Sequence, residues 1–429
     1  MKCYEKTLKI PFTTNFSKLK KAIQEQFASK EEPIRFAIVD SDPKYLYCDL
    51  AIVENSTKNK ITSIFDFQQR PFVRAEIFTA AMIVPTGIAA AVGGDSGDAQ
   101  AAARLMATTC DRLITHPNVL NGADIMEAMS NTLYVEGSTL SQLMMGTIGL
   151  LPTRKNKILL AIDQREKMQQ ETTDLAINAA SAARLGLGAD IDVTIINPPA
   201  IVKAFMSESG RAIGSIENLQ AWYSIFNKYK DDYDAFAISS VIEIEQEIAD
   251  LYFDGKILVN PWGGIEAMLT HSLSLLLNKP IAHSPMNTMR NISYEYGIVT
   301  PEVAGEAISK TSLHCILKGL HQSPKILNQL NSWEIPGAIS VADINCLIQP
   351  DRCIGLPTLA ALKQGVPVIA VNDTKNIMKN DLDILPWKTG QLLRASNYLE
   401  AAGIVTALKA GISLDTVLRP VTKTKILNG

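Results

Sequence analysis

Short apolar runs, each closed by a glycine, a proline or a polar turn, recur along most of this chain. Between them lie stretches rich in alanine and other good helix formers, such as Glu171–Leu185. The runs read as strands at Ala80–Val84, Leu113–Thr115, Ile158–Asp163, Asp192–Ile196, Ala235–Ser240, Ile281–Ser284, Ala338–Val341, Asn345–Ile348 and Val366–Val371. Apolar strands alternating with helices predict an α/β fold of mostly parallel, Rossmann-like sheets with helices on both faces. Residues 1–75 follow a different rhythm, with strands at Lys6–Phe12, Ile34–Asp40 and Leu46–Val53. A helix is expected over Asn15–Ser29, capped by Asn15 or Ser17, with Leu19, Ile23 and Phe27 on one face. Polar Glu54–Arg74 reads as a linker. The pattern therefore predicts a small N-terminal α/β unit (1–75) and two lobes, a Gly-loop lobe over 76–250 and a second lobe over 251–429.

The segment Ala81–Gly122 carries the strongest local signal. An apolar strand runs into a loop holding Gly87, Gly93, Gly94 and Gly97, and a small-residue helix, Ala99–Cys110, follows Asp98 as its expected N-cap. A glycine loop feeding a helix N-terminus turns backbone N–H groups and the positive end of the helix dipole toward one point, which suits a phosphate or carboxylate. Neither GxGxxG nor GxxxxGK[ST] is present, and Asp95 and Asp98 sit inside the loop. Thr86, Gly87, Gly93, Gly94 and Asp98 are the candidate binding residues here.

Two later segments share a plan. Gly263–Pro285 and Gly355–Asp373 each run glycine turn, helix, then strand after a proline. Gly355 and Thr358 thereby become candidates for a second helix-terminus contact with an anion. The second segment resembles the donor-binding segment of two-domain glycosyltransferases and sugar epimerases, which implies a nucleotide-sugar-dependent transferase or epimerase as one alternative.

Composition narrows the chemistry. With 429 residues, 20% charged and a formal net charge of −3, the chain shows no basic footprint for nucleic acid. No secretory leader or membrane-length apolar run is read, so a cytoplasmic protein without a membrane partner is expected. Six dispersed cysteines without a CxxC read as buried thiols, and no metal site is assigned. Of the five histidines, His116 and His283 follow strand-like runs, and His271 lies on the helix that opens near Gly264. Histidine titrates near neutrality and serves as general acid or base. Glu266 and His271 stand five apart, about 140° around a helix, so no His-Glu-x-x-His zinc motif is encoded. Arg211, in Ser207–Arg211, offers a planar fork for an anion. Asn118 and Asn121, in the turn after His116, are placed to orient a substrate carbonyl.

The motifs PTGIAAAVGGDSGDA (Pro85–Ala99), DRLITHPNVLNGA (Asp111–Ala123), LYVEG (Leu133–Gly137), GGIEAMLTH (Gly263–His271), PIAHSP (Pro280–Pro285) and SNYLEAAGI (Ser396–Ile404) together resemble a domain-of-unknown-function family of cyanobacteria, other bacteria and plastids. The resemblance spans residues 80–410, leaves the first 75 outside, and finds Gly355–Val371 fuller than the family pattern. It implies that the Gly loop, His116, Asn118, Asn121, Glu136, Glu266, His271 and His283 are shared, and it supplies no reaction or cofactor.

These readings converge on a small-molecule metabolic enzyme. An anionic substrate (phosphorylated, carboxylated or a nucleotide) would sit in a cleft between α/β lobes. His116, His283 and His271 would do acid/base work with Glu136 and Glu266 assisting, in isomerase, lyase or transferase chemistry. A non-catalytic metabolite-binding or accessory protein is the alternative, and either is compatible with a homo-oligomer. Strand carboxyl ends of a parallel sheet gather on one edge, so His116, Glu136, His271 and His283 are expected to meet in one cleft.

Overall fold

The computed structural model describes residues 1–28, 30–54, 61–163, 170–286, 297–308, 311–328, 331–424 and 426. The chain has an α/β fold built on three principal sheets. The first is six-stranded and wholly parallel, in the order Leu392–Ala395, Val368–Val371, Ile344–Pro350, Thr79–Met82, Arg112–Thr115, Thr132–Tyr134. Numbered by chain position, its strands lie 3-2-1-4-5-6, the Rossmann order. The order reverses between Thr79–Met82 and Ile344–Pro350, and a ligand crevice belongs at the carboxyl ends of those two strands.

A second, four-stranded parallel sheet lies wholly within the chain between strands three and four of the first. Its order is Ile281–Pro285, Ala235–Ser240, Lys157–Asp163, Asp190–Ile196. Strands such as KILLAID are apolar almost throughout because helices cover both faces. The third sheet is antiparallel and six-stranded: Ile201–Met206, Ala212–Glu217, Lys2–Pro11, Tyr45–Glu54, Glu31–Ser41, Ile354–Gly355. The N-terminal segment thus shares its sheet with a hairpin from mid-chain and a short strand beyond residue 350. Position 250 lies inside the helix Gln246–Phe253.

Local physics explains where the sequence reading and the structure part. The first helix, Phe16–Gln24, starts at Asn15, whose side chain accepts from the Lys18 N–H at 3.1 Å, with Leu19 and Ile23 buried. The helix Gln100–Thr109 is capped by Ala99 without a side-chain bond, so Asp98 is not its N-cap. Asp98 instead accepts from the Gly93 N–H inside the loop. Ala338–Val341 is not a strand: Ile339 makes one isolated bridge to Leu150, and a 3-10 turn follows at Val341–Asp343. Ser207–Arg211 is the turn of the hairpin Ile201–Met206/Ala212–Glu217. The two look-alike segments fold alike, as the helices Gly263–Leu277 and Leu356–Gln364, each ending in a left-handed residue (Asn278, Gly365) before a parallel strand.

The helix Gly263–Leu277 is apolar almost all round and correspondingly buried. Its first turn presses onto the hairpin so closely that a Cβ on Gly264 would lie 1.8 Å from the Ala212 carbonyl oxygen. Gly264→Ala is therefore expected to destabilise the fold by about 3 kcal/mol, since backbone must move. Gly403, exposed inside the helix Tyr398–Lys409, has nothing within 4 Å of such a Cβ, so Gly403→Ala should stabilise by about 0.5–1 kcal/mol. Urea denaturation of the two variants checks both signs.

Candidate functional site

A cavity of about 230 Å³ opens at the reversal point of the Rossmann-ordered sheet. Ile83, Pro85 and Thr86 reach it from beyond Thr79–Met82, and Gln349 and Cys353 from Ile344–Pro350 and just beyond. The antiparallel sheet adds Ile34, Arg35 and Phe36, the buried helix adds Gly263 to His271, and the inserted sheet adds His283. Residues far apart in the chain thus share one wall.

The structure brings His116, Glu136, Glu266, His271 and His283 together on this cavity. Glu266 and His271 both face it, although about 140° apart on their helix, because the cavity wraps round the turn that also presents Ala267 and Thr270. Thr86, Gly94, Asn118, Asn121, Arg211, Gly355 and Thr358 line it too, whereas Gly87, Gly93 and Asp98 are not among the lining residues. Several of these side chains hold the wall. Asn118 Nδ2 donates to the carbonyls of Val84 (2.9 Å) and Gly93 (2.7 Å). Asn121 Oδ1 accepts from the Tyr134 hydroxyl at 3.1 Å, and Thr358 Oγ1 donates to Gln349 Oε1 at 2.8 Å. The Gly87 carbonyl accepts from the Ala212 N–H at 3.1 Å. The Gly93 and Gly94 amides both reach the Asp98 carboxylate, so the loop satisfies itself. Arg211 is buried against Asp49, with Nη1 at 2.5 Å from Oδ2.

Arg35, Asp95 and Glu306 also line the cavity, though none of them was a candidate site residue from the sequence. Arg35 lies in the strand Glu31–Ser41, where its guanidinium donates to the carbonyls of Gly264 and Thr86, each at 3.1 Å. Burial lowers it to about 10, with Arg211 adding to the fall. Its signal was an arginine inside the apolar run Ile34–Val39. Asp95 and Glu306 carried no periodic signal. Their carboxyls take neutral donors: the Tyr252 hydroxyl for Asp95, and Asn260 Nδ2 at 2.9 Å for Glu306.

Burial dictates where the protons sit. His116 Nε2 accepts the Val84 N–H at 3.0 Å, which leaves the proton of the neutral ring on Nδ1. Burial, with His271 nearby, pushes His116 down to about 3, and burial with Arg35 does the same to His271. Neither ring is an imidazolium at neutral pH. Glu136 caps the helix Gly137–Met144 and accepts from the Ser138 N–H (2.8 Å), the Thr139 N–H (3.2 Å) and the Thr270 hydroxyl (3.1 Å). Burial outweighs those donors and raises it to about 7. Glu136 Oε1 lies 3.2 Å from His271 Nε2, while His271 Nδ1 is buried without a hydrogen-bond partner. A Cβ on Gly137 would stand 2.8 Å from that Nε2, so glycine makes room for the ring.

This pair can relay a proton without charging the imidazole. With Glu136 protonated, its O–H donates to Nε2 and Nδ1 carries a proton. When Nδ1 gives that proton up, the carboxyl proton shifts to Nε2 and Nδ1 becomes an acceptor. His271 stays neutral throughout, and the charge appears on Glu136.

The same shift makes stability depend on pH. Glu136 is raised from 4.5 to about 7, so its contribution is complete below pH 4.5 and lost as pH rises through 7. Asp98 and Glu306, raised to about 7 and about 8, act in the same sense. The two histidines act oppositely, but only below their ordinary 6.5, where the unfolded chain alone takes up protons. Between pH 6.5 and about 8 the protein should lose stability, and Glu136→Gln should remove about 1 kcal/mol of that loss. Urea titrations at the two pH values measure it.

The pattern of a family described as proteins of unknown function, DUF3326, matches residues 79–418. The chain is 31% identical over 350 residues to an uncharacterized lipoprotein of a Synechococcus strain, an alignment covering 78% of this chain and 91% of that protein. No solved structure matches. Among the described residues no helix is long and apolar enough to cross a membrane. The relative's name describes a lipoprotein, so the expectation of a cytoplasmic protein draws no support from it. With its match running through both parallel sheets and most of the cavity wall, the chain belongs to the DUF3326 family of proteins of unknown function.

Proposed function

We propose that this protein is a small-molecule enzyme that moves a proton on a metabolite held in the cavity, in isomerase or lyase chemistry. The observation that carries the reading is the Glu136–His271 pair: a carboxyl near 7 at 3.2 Å from a neutral ring whose other nitrogen has no protein partner. A general acid or base works best with a pKa close to the operating pH, and perturbed groups of this kind collect at active sites. His116, which lines the cavity with the proton of its neutral ring on Nδ1, is a further hydrogen-bond donor in this reading. A volume of about 230 Å³ suits a small metabolite better than a dinucleotide.

Arg35 supports an anionic group on the substrate, a carboxylate or a phosphate, because it is a buried cation on the wall beside His271. A nucleotide-sugar substrate has less support, since the loop amides that would face a pyrophosphate are turned onto Asp98. The metabolite-binding alternative needs only the cavity and separates from the enzyme by turnover.

Incubation with a mixture of carboxylate and phosphate metabolites in deuterium oxide tests the proposal by mass spectrometry. One component should gain solvent deuterium or change mass, and Glu136→Gln or His271→Ala should slow this by roughly 10²–10⁴. An unlabelled, unconverted mixture, or a Glu136→Gln protein as fast as the parent, removes the catalytic reading. His116→Ala should also slow it, but with some loss of stability, because the Val84 N–H loses its acceptor.

A further inference from the structure

Besides Arg35 and the Glu136–His271 pair, the cavity wall gathers three neighbouring carboxyl groups. Asp95 comes from the Gly loop, Glu266 from the buried helix and Glu306 from the short helix Ala304–Ile308. Among the described residues, none of the three pairs with a lysine or arginine. Among the described residues no lysine lines the cavity, and its two arginines are engaged on Asp49 and on Glu5 (4.0 Å) and backbone carbonyls.

His283 supplies an independent sign. Its side chain is 1% exposed, and Nε2 is bonded to Ser240 Oγ at 3.0 Å. Its Nδ1 has no hydrogen-bond partner and faces Glu266 Oε2 across 3.9 Å, too far for a direct bond. A group seated about 2.8 Å from both atoms would close that gap at an ordinary hydrogen-bond angle. Buried polar atoms of this kind are normally satisfied, so Nδ1 is open to a group bound in the cavity. No three His, Cys, Asp or Glu side chains among the described residues are disposed around one metal ion. A donor group that reaches carboxylates spread over separate elements fits this arrangement.

Resting on the reading of this cavity as a substrate site, we propose that Asp95, Glu266, Glu306 and His283 bind a primary ammonium group of the substrate. The three N–H donors of an ammonium suit acceptors that converge from separate elements. With Nε2–H given to Ser240, His283 Nδ1 is one such acceptor and Glu266 the one beside it. Asp95 and Glu306, each holding a neutral donor already, supply charge once the cation displaces their protons. Burial raises Asp95 to about 6, and burial with the neighbouring Glu266 and Asp95 raises Glu306 to about 8, as expected of carboxyls awaiting a cation. Taken with Arg35, the substrate class is a small amine that also carries an anionic group.

The test uses the full chain with n-butylammonium, n-butanol and butyrate at equal concentrations. Butylammonium should raise the melting temperature above the effect of butanol, and calorimetry should show its affinity falling about tenfold in Glu306→Gln and in Asp95→Asn. Both substitutions are isosteric, and each variant's own ligand-free melting temperature controls for folding. An ammonium no better than the alcohol overturns the proposal, as do variants that bind it as tightly as the parent. A stabilising response to zinc chloride with none to butylammonium also overturns it. Ammonium binding without deuterium exchange leaves this site standing and removes the catalytic reading; exchange without an ammonium response does the reverse.

Discussion

Everything in this structure depends on one close approach, the seating of the helix Gly263–Leu277 on the hairpin at Ala212. A side chain at Gly264 would collide with backbone there, so the helix lies as near the antiparallel sheet as two main chains allow. The Gly264 carbonyl then comes within reach of Arg35, whose other terminal nitrogen bonds the Thr86 carbonyl at the end of the first Rossmann strand. One guanidinium in this way ties the antiparallel sheet, the buried helix and the switch-point loop together. The cavity is the space left at that junction, and Glu266, Thr270 and His271 reach it because the helix cannot roll.

The electrostatics follow from the same packing. Titratable groups drawn together into a water-poor space cannot all keep their charge. His116 and His271 respond by staying neutral, and Glu136 responds by holding a proton up to neutral pH. Ser138, Thr139 and Thr270 moderate Glu136 without restoring an ordinary carboxylate. The result is a pair of groups whose proton can move at modest cost, which is rare on a solvated surface.

The match to the DUF3326 family begins at residue 79, yet part of the cavity wall is built by Ile34, Arg35 and Phe36. The preceding segment is therefore part of the site's architecture. It completes a sheet with Ile201–Met206, Ala212–Glu217 and Ile354–Gly355, so its contribution to the wall is fixed by long-range pairing.

Periodicity in the chain was enough to determine the parallel α/β class, most strands and the glycine-bounded helices, because apolar alternation and turn residues act locally. It also singled out His116, His271 and His283, since polar residues at strand ends and on a helix stand out against apolar neighbours, while Glu136 and Glu266 came with the family resemblance. The hairpin Ile201–Glu217 and the role of Arg35 could not be read that way, because an antiparallel pairing between residues 3 and 216 leaves no local mark. Asp98 illustrates the limit most clearly. Its position before a helix suggested a cap, but the folded loop brings the Gly93 and Gly94 amides to its carboxylate instead. The proton states were likewise settled only by tertiary structure. A carboxyl at 4.5 in water becomes one near 7 solely through the neighbours that exclude that water, and those neighbours come from the far side of the chain.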